Sequence, residues 1–170
     1  NFDGTKTKTT TVYGYSGGVL QDTTVYKDEL LAADARTPEE FDPAEFDFTA
    51  LTKKSFTDYE GLVKGEEKAN YTINYKADGS TTETKTTYYY FLKGDALADP
   101  VVPDDPQATA SEANADSYMT KTVSARGNDS TKQISYYTGT EVGEEQMSWS
   151  QEYNFDGTKT KTTTVYGYSG

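Results

Sequence analysis

The sequence predicts an all-β protein built from tandem antiparallel hairpin repeats, and three observations lead to this fold class. Thr and Tyr, which favour pleated strands, dominate the 170 residues, with 28 Thr and 15 Tyr. Apolar and polar residues alternate with a period of two in several segments. A stretch of 17 residues occurs twice without change, at 1–17 and at 154–170. Repeats of long period are typical of arrays in which neighbouring units cover each other's exposed faces.

The repeat suggests how the chain is divided. The identical copies begin 153 residues apart (154 minus 1), as expected for one full unit followed by the start of the next, or for a deliberate duplication. A weaker repeat lies inside the unit, where 75–90 aligns without gaps on 153–168 and Tyr59 aligns on Tyr137. We therefore expect repeat half A at 1–75, repeat half B at 76–153, and the start of a further repeat at 154–170.

Each half is predicted to contain three strands, and the first two form a hairpin. The first strands are Lys54–Tyr59 and Lys132–Tyr137, followed by turns at Gly61–Gly65 and Gly139–Gly143. The second strand alternates strictly, which indicates a half-buried strand with aromatic side chains on one side. This aromatic face is predicted to comprise Tyr71, Ile73, Tyr75, Met147, Trp149 and Tyr153, with Tyr71, Ile73 and Trp149 in a core.

The third strand follows an Asp-Gly turn, present as Asp78-Gly79, Asp156-Gly157 and Asp3-Gly4. Asp-Gly favours tight hairpins because both residues tolerate positive φ. Alternate Thr residues then lead into Tyr residues, as in Thr9, Thr11 and Tyr13. In the last copy this pattern predicts an assembly strand at Thr158, Thr160, Thr162, Thr164, Tyr166 and Tyr168. A further hairpin is predicted at 126–129.

Two segments interrupt the strand pattern. Residues 28–50 are acidic, and Thr37 before Pro38 and Asp42 before Pro43 are typical of helix N-caps. Short helical turns are therefore predicted in this linker. Residues 95–117 are rich in Ala, Asp and Pro and predict an irregular excursion. The halves differ most in these segments, so we expect partner contacts or locking between repeats there.

Composition excludes several function classes. A net charge of −12 disfavours nucleic acid, because phosphate binding needs clustered cations. No run of 18 apolar residues is present to span a membrane. His and Cys are both absent, which removes the commonest general base, nucleophiles and transition-metal ligands. We expect no catalytic residue, no cofactor and no enzymatic activity.

Carboxylates and sequons leave smaller possibilities open. Pairs such as Glu66-Glu67 and Glu144-Glu145 are interpreted as solvated turn residues. Calcium prefers oxygen ligands, and two acidic groups offer them without the spacing of an EF-hand. These groups are Asp99, Asp104 and Asp105, and Asp42, Glu45 and Asp47. Asn70 and Asn128 begin N-glycosylation sequons, and the Thr rows suit O-glycosylation or plain exposed sheet.

The segment from Tyr13 to Leu20, with Tyr-Gly-Tyr before Ser-Gly-Gly-Val-Leu, resembles the YD-type repeats of large bacterial surface and Rhs-like proteins. Tyr88–Tyr90, followed by Gly94 and Leu97, fits the same pattern with a short insertion. The Asp that usually follows the second Tyr is replaced by Ser16 and Phe91. The resemblance covers about a third of the chain and implies a secreted or surface-exposed scaffold.

Together these features predict a structural subunit of an extracellular or cell-surface fibre, built by strand-mediated stacking of repeats. The expected partner is the protein itself, through neighbouring repeats or subunits, with glycans as a further possibility. The alternative is an adhesin or carbohydrate-binding repeat, for which exposed Tyr residues in a concave groove would be the distinguishing feature. Tyr residues buried at the junctions between units would favour the fibre.

Overall fold

A computed structural model of the chain describes residues 8–28, 45–92 and 108–168. Within them the protein forms nine β-strands. The strands are β1 Thr9–Ser16, β2 Val19–Lys27, β3 Thr52–Glu60, β4 Lys68–Tyr75, β5 Thr82–Phe91, β6 Tyr118–Arg126, β7 Thr131–Thr138, β8 Gln146–Tyr153 and β9 Thr160–Val165. The prediction of an all-β fold is confirmed.

The nine strands form one antiparallel sheet in which each strand pairs with the next in sequence, from β1 to β9. This order is a meander, and the sheet is not closed, because β1 and β9 lie at opposite edges. No helix in the described part of the chain is long and apolar enough to cross a membrane. The fold is therefore an open ribbon of strands.

The strand register repeats along the ribbon. Phe56 of β3 lies opposite Ile73 of β4, and Ile134 of β7 lies opposite Gln151 of β8, 78 residues later in both strands. Tyr71 of β4 likewise lies opposite Thr87 of β5, as Trp149 lies opposite Val165. Every pairing from β3 to β5 recurs from β7 to β9 at this offset, so the weak sequence repeat corresponds to a repeat of backbone structure.

The same correspondence extends to the strand before β3. Gly14 of β1 lies opposite Asp22 of β2, as Tyr89 of β5 lies opposite Lys121 of β6. The repeating unit of the backbone is therefore four strands, with β1–β4 equivalent to β5–β8 and β9 equivalent to β1 and β5. The predicted three-strand half omitted β2 (Val19–Lys27) and left the β6 hairpin outside the repeat.

Long connections interrupt the two units at different places. The first unit has its long connection between β2 and β3, residues 28–51, whereas β6 and β7 are joined by the short turn 127–130. The second unit has its long connection between β5 and β6, residues 92–117, whereas β1 and β2 are joined by Gly17-Gly18. For this reason, an alignment of the two units without gaps does not match β2 with β6.

A β-bulge occurs at each of the eight junctions between strands, always as one extra residue on the later strand. The extra residues are Gln21, Lys54, Asn70, Glu83, Thr120, Lys132, Ser148 and Lys161. Bulges strengthen the local right-handed twist of a strand pair. The regular bulges are thus part of the repeating backbone design.

The predicted Asp-Gly turns before β5 and β9 join their strands, but each connection is longer than a tight two-residue turn, and only the Gly of each pair has positive φ. In the β4–β5 turn Gly79 has a φ of 68°, and Asp78 Oδ1 accepts hydrogen bonds from the backbone N–H groups of Ser80 and Thr81. In the β8–β9 turn Gly157 has a φ of 75°, and Asp156 Oδ1 accepts from Thr158. The hairpin predicted at 126–129 joins β6 and β7.

The described parts of the two long connections pack against the sheet. A 3-10 turn at Phe48–Ala50 lies in the acidic linker, and Phe48 stacks on Tyr26 with ring centroids 5.0 Å apart. The predicted N-caps Thr37 and Asp42 lie outside the described residues. The described part of the second excursion, 108–117, is irregular apart from a bridge between Ala108 and Tyr90, as predicted.

Candidate functional site

The two edge strands have the same sequence but lie at opposite ends of the sheet. Residues 7–12 are repeated at 160–165, so β9 includes a copy of the first four residues of β1, 9–12, which pair with β2. β1 has β2 on one side, β9 has β8 on one side, and neither has a strand on its other side among the residues that the structure describes. All of β9 is exposed. Two unpaired strand edges are the most evident interaction surface of the molecule.

β5 is the interior counterpart of both edge strands. It pairs with β4 in the register that β9 uses with β8, and with β6 in the register that β1 uses with β2. Its side chains are correspondingly less exposed, with Thr84 and Tyr90 buried. One strand of this sequence type thus accommodates a neighbour on each side at once.

A Tyr residue at the end of β5 and another just after β9 bind the neighbouring strand. Tyr90 Oη donates a 2.7 Å hydrogen bond to Ala69 O at the start of β4, and burial raises the pKa of the Tyr90 phenol well above its usual range. Tyr168 Oη donates a 2.8 Å hydrogen bond to Met147 O at the start of β8. Tyr15 is the matching residue of β1, where it is 63% exposed. Of the three, only Tyr90 is buried, and its backbone also exchanges hydrogen bonds with Ala108 of the second excursion, in addition to the pairing of β5 with β6.

The predicted assembly strand is placed as follows. Thr158 lies in the β8–β9 turn, where its N–H and Oγ1 donate to Asp156. Thr160, Thr162 and Thr164 lie in β9. Tyr166 and Tyr168 follow the strand, and Tyr166 N donates to Ser148 O at 2.9 Å. β9 extends the sheet of its own chain.

The predicted aromatic face forms two separate clusters. Tyr71 packs against Phe56 with centroids 6.2 Å apart and lies beneath Lys85 Nζ at 4.2 Å. Trp149 stacks on Tyr136 at 4.0 Å with an interplanar angle of 16°. The predicted members Tyr71, Ile73, Tyr75, Met147, Trp149 and Tyr153 are all half-buried. The prediction that Tyr71, Ile73 and Trp149 form a core is wrong, because among the described residues the buried aromatic ones are Tyr26, Tyr90 and Tyr118.

Sequence reasoning missed a row of small hydroxyl side chains that runs across the strands. The register aligns Thr23, Thr57, Thr72 and Thr86 across β2 to β5, and Thr122, Ser135, Ser150 and Thr164 across β6 to β9. Thr57 and Thr72 share a 2.9 Å hydrogen bond, and Thr72 shares one of 3.0 Å with the hydroxyl of Tyr88. Ser135 and Ser150 are buried. The alternating Thr residues of β5 and of β9, which follow Asp-Gly turns, each include one member of this row. The pairing register of the neighbouring strands is needed to show that the row continues across the sheet.

The second Glu of the pairs Glu66-Glu67 and Glu144-Glu145 accepts hydrogen bonds from two backbone N–H groups. Glu67 accepts from Leu20 N at 3.0 Å and from Gly65 N at 2.7 Å. Glu145 accepts from Met119 N at 3.0 Å and from Gly143 N at 2.7 Å. The Leu20 hydrogen bond is the main cause that lowers the pKa of Glu67. The solvated interpretation fits the exposed Glu66 and Glu144, whereas Glu67 and Glu145 have a structural role.

The two sequons differ in accessibility. Asn70 is the bulge residue of β4, and its Nδ2 donates a 2.8 Å hydrogen bond to Asp58. Asn128 is exposed in the β6–β7 turn, where its Oδ1 accepts from Ser130. Asn128 is therefore the geometrically suitable acceptor for a glycan of the two.

The predicted calcium ligands fall mostly outside the described residues, which include only Glu45 and Asp47 of the six. Within the described ranges no group of three or more acidic side chains is arranged to hold a metal ion.

An open groove of about 450 Å³ lies where the β4–β5, β6–β7 and β8–β9 turns meet. Lys76, Arg126, Lys132 and Phe155 are among the residues that line it. Arg126 donates to the carbonyl oxygens of Thr131 and Tyr153, and its guanidinium lies 5.7 Å from the Phe155 ring centroid. The groove therefore combines three basic side chains and the carboxylate of Glu83 with one exposed aromatic ring, and none of the described residues that line it is a Tyr.

Comparison with known proteins adds little to this description. No protein-family model matches the chain, and no curated protein matches it. A solved structure of a protein of unknown function from Bacteroides fragilis is similar over 98% of this chain and 96% of its own length, with 9% sequence identity and a TM-score of 0.27.

Proposed function

We propose that the chain is a structural unit of an extracellular or cell-surface fibre, in which tandem repeats join through their edge strands into one long sheet. The observation that supports this most is the equivalence of β1, β5 and β9. The same strand type stands at both edges and in the middle, and in the middle it carries neighbours on both sides in matching register.

The distribution of Tyr residues supports the same function. Tyr90, at the junction between the two four-strand units, is buried and hydrogen-bonded to the neighbouring strand. This is the arrangement expected of a structural array. The resemblance to YD-type repeats of bacterial surface proteins also agrees with a scaffold outside the cell.

Electron microscopy of purified proteins with one, two and four 153-residue units would test this function. Eight strands per unit at a spacing of about 4.8 Å predict a rod that lengthens by about 38 Å with each added unit. Particles that grow in all directions as units are added would contradict the proposal. Circular dichroism on each protein would establish that the strand content is kept.

A carbohydrate-binding or adhesin role is the second candidate, and the basic groove beside Phe155 is the observation that favours it. Aromatic rings and cationic side chains suit acidic sugars. A glycan array with the wild type and with Phe155→Ala and Lys132→Ala would test it. Binding that both substitutions abolish would support this role, and an absence of binding to any glycan would oppose it.

A further inference from the structure

We infer that the free edge of β9 is a docking site for β2 of a second copy of this chain, in the register that β1 uses with β2. The inference rests on the proposed function and specifies its contact. In this arrangement β9 of one copy takes the place of β1 in the next. The partner is thus a strand of sequence Val19–Lys27, presented at a sheet edge.

The first argument comes from the direction of the backbone hydrogen bonds in β1. Asp28 N donates to Lys8 O, directly opposite in the register. Antiparallel pairs alternate between residues that exchange hydrogen bonds and residues that do not. The N–H groups of Thr10 and Val12 therefore face β2, whereas those of Thr9 and Thr11 face the free edge.

The second argument is that β9 uses the opposite set. Tyr166 N donates to Ser148 O. The backbone N–H groups of Thr162 and Thr164 therefore face β8, while those of Thr163 and Val165 face the free edge. Thr163 and Val165 correspond to Thr10 and Val12 in the identical segment. The groups that β9 leaves unpaired are thus the same groups with which β1 binds β2.

The third argument is that β5 shows both contacts made together. Glu83, the counterpart of Lys8, accepts from Gly127 N on the β6 side, while Tyr71 and Thr72 of β4 pair on the other side. Gly127 directly follows β6, as Asp28 directly follows β2. The β4–β5–β6 arrangement is thus an internal example of the proposed β8–β9–β2 arrangement between copies.

In the wild-type chain β1 already covers the edge of β2, so a second copy must compete with it. Thr10→Pro removes a donor that faces β2 and disfavours the β1–β2 pairing. We expect this full-length variant to form head-to-tail chains in which β9 covers β2 of the next copy. Light scattering after size-exclusion chromatography would show masses at multiples of 18.8 kDa, which increase with concentration.

The identical segment offers a matched control. Thr163→Pro places the same residue on the free edge of β9, where proline is compatible with the pairing to β8 but blocks the docking of β2. This variant alone should behave as the wild type. The double variant, Thr10→Pro with Thr163→Pro, should not form chains. Equal chain formation by the single and double variants would overturn the inference.

Cysteine pairs would test the register, since the chain contains no cysteine. Thr164 corresponds to Thr11, which lies opposite Val25 in a pair that exchanges no hydrogen bonds. Such pairs have Cα atoms about 4.5 Å apart, within the range for a disulfide. In the Thr10→Pro background, Thr164→Cys with Val25→Cys should give a ladder of covalent oligomers. Thr164→Cys with Thr23→Cys, displaced by two residues, should not.

Added peptide distinguishes docking from misfolding. A peptide of residues 1–17 should cap β2 and convert chains of the Thr10→Pro variant into monomers. If Thr10→Pro loses its strand content, Val12→Pro is the second choice because its N–H also faces β2. Monomers with native strand content, or failure of both variants to fold even with the peptide, would overturn the inference.

These results are separable from those for the fibre. If the tandem proteins lengthen as rods while Thr10→Pro stays monomeric, the fibre stands and the β9–β2 contact fails. If Thr10→Pro forms register-specific chains while tandem proteins do not lengthen, the contact stands and the fibre fails.

Discussion

β5 and β9 are two forms of one strand in different surroundings. β5 lies between β4 and β6, and Tyr90 at its end is 6% exposed. β9 has only β8 beside it, and the corresponding Tyr168 is 56% exposed although its hydroxyl makes the equivalent hydrogen bond. Burial in this molecule is thus determined by the flanking strands and connections, and hardly by the sequence of the strand itself.

The largest difference is expected on truncation of the two Tyr residues. Tyr90→Ala removes a buried ring and should lower the free energy of unfolding by about 3–5 kcal/mol, as for other buried aromatic residues. Tyr168→Ala removes an exposed ring and one hydrogen bond, and should cost less than about 1 kcal/mol. Urea denaturation followed by Trp149 fluorescence would measure both. Similar losses at both positions would show that β9 is covered in solution.

An intermediate difference is expected for the turn glycines. A Cβ at Gly79 would lie 2.9 Å from Lys53 N, and one at Gly157 would lie 2.8 Å from Thr131 N, both at positive φ. Gly79→Ala should cost about 1–3 kcal/mol in global stability, because the interior β5 cannot detach. In Gly157→Ala the same kind of backbone strain should be relieved by detachment of β9 from β8, so the loss of global stability should be smaller.

Hydrogen exchange would separate the two glycine variants. In Gly157→Ala the amides of β9 should lose protection while the urea midpoint stays close to that of the wild type. In Gly79→Ala the midpoint should fall. A comparable fall of the midpoint in both variants would contradict the picture of β9 as an independently detachable edge.

The smallest effect is expected in acid. The hydroxyl of Thr81, followed by the backbone N–H groups of Ser80 and Thr81, lowers the pKa of Asp78 from 3.8 to about 2. Because the folded-state pKa is the lower one, the stabilisation is present above pH 4 and is lost as the pH falls towards 2. Asp78→Asn should therefore flatten this part of the pH dependence of the melting temperature.

The edge turn provides the comparison. Hydrogen bonds from Thr158 also lower the pKa of Asp156, so Asp156→Asn removes the same kind of charge beside β9. Because β9 contributes less to global stability, its effect on the melting temperature between pH 5 and pH 2 should be smaller than that of Asp78→Asn. The reverse order would contradict the comparison.

Much of the sheet could be predicted from the sequence because its hairpins are local. Strict alternation marked β4, and Asp-Gly marked the turns before β5 and β9. β2 was missed because its counterpart β6 lies 99 residues later, while the strands around it are offset by 75 and 78. The long connections cause this difference, because one follows β2 in the first unit whereas the other precedes β6 in the second unit.

The parts of the site that could not be predicted depend on strand register. The identity of 1–17 and 154–170 identified the edge strands, but not which backbone groups each edge leaves free. The row through Thr57, Thr72 and Thr86 joins residues from three strands, and no local pattern in sequence connects them. The role of Glu67 depends on a distant partner, since Leu20 lies 47 residues earlier in the chain.

The bulge at every junction has a consequence for how such a ribbon would grow. Because each later strand carries one extra residue, the two ends of the sheet differ, and the ribbon has a direction. Each bulge also adds right-handed twist, and a twisted surface does not stack flat on its copies as the sheets of amyloid do. Growth would therefore be favoured along one axis and opposed laterally, so that thin filaments form and sheets do not thicken into insoluble bundles.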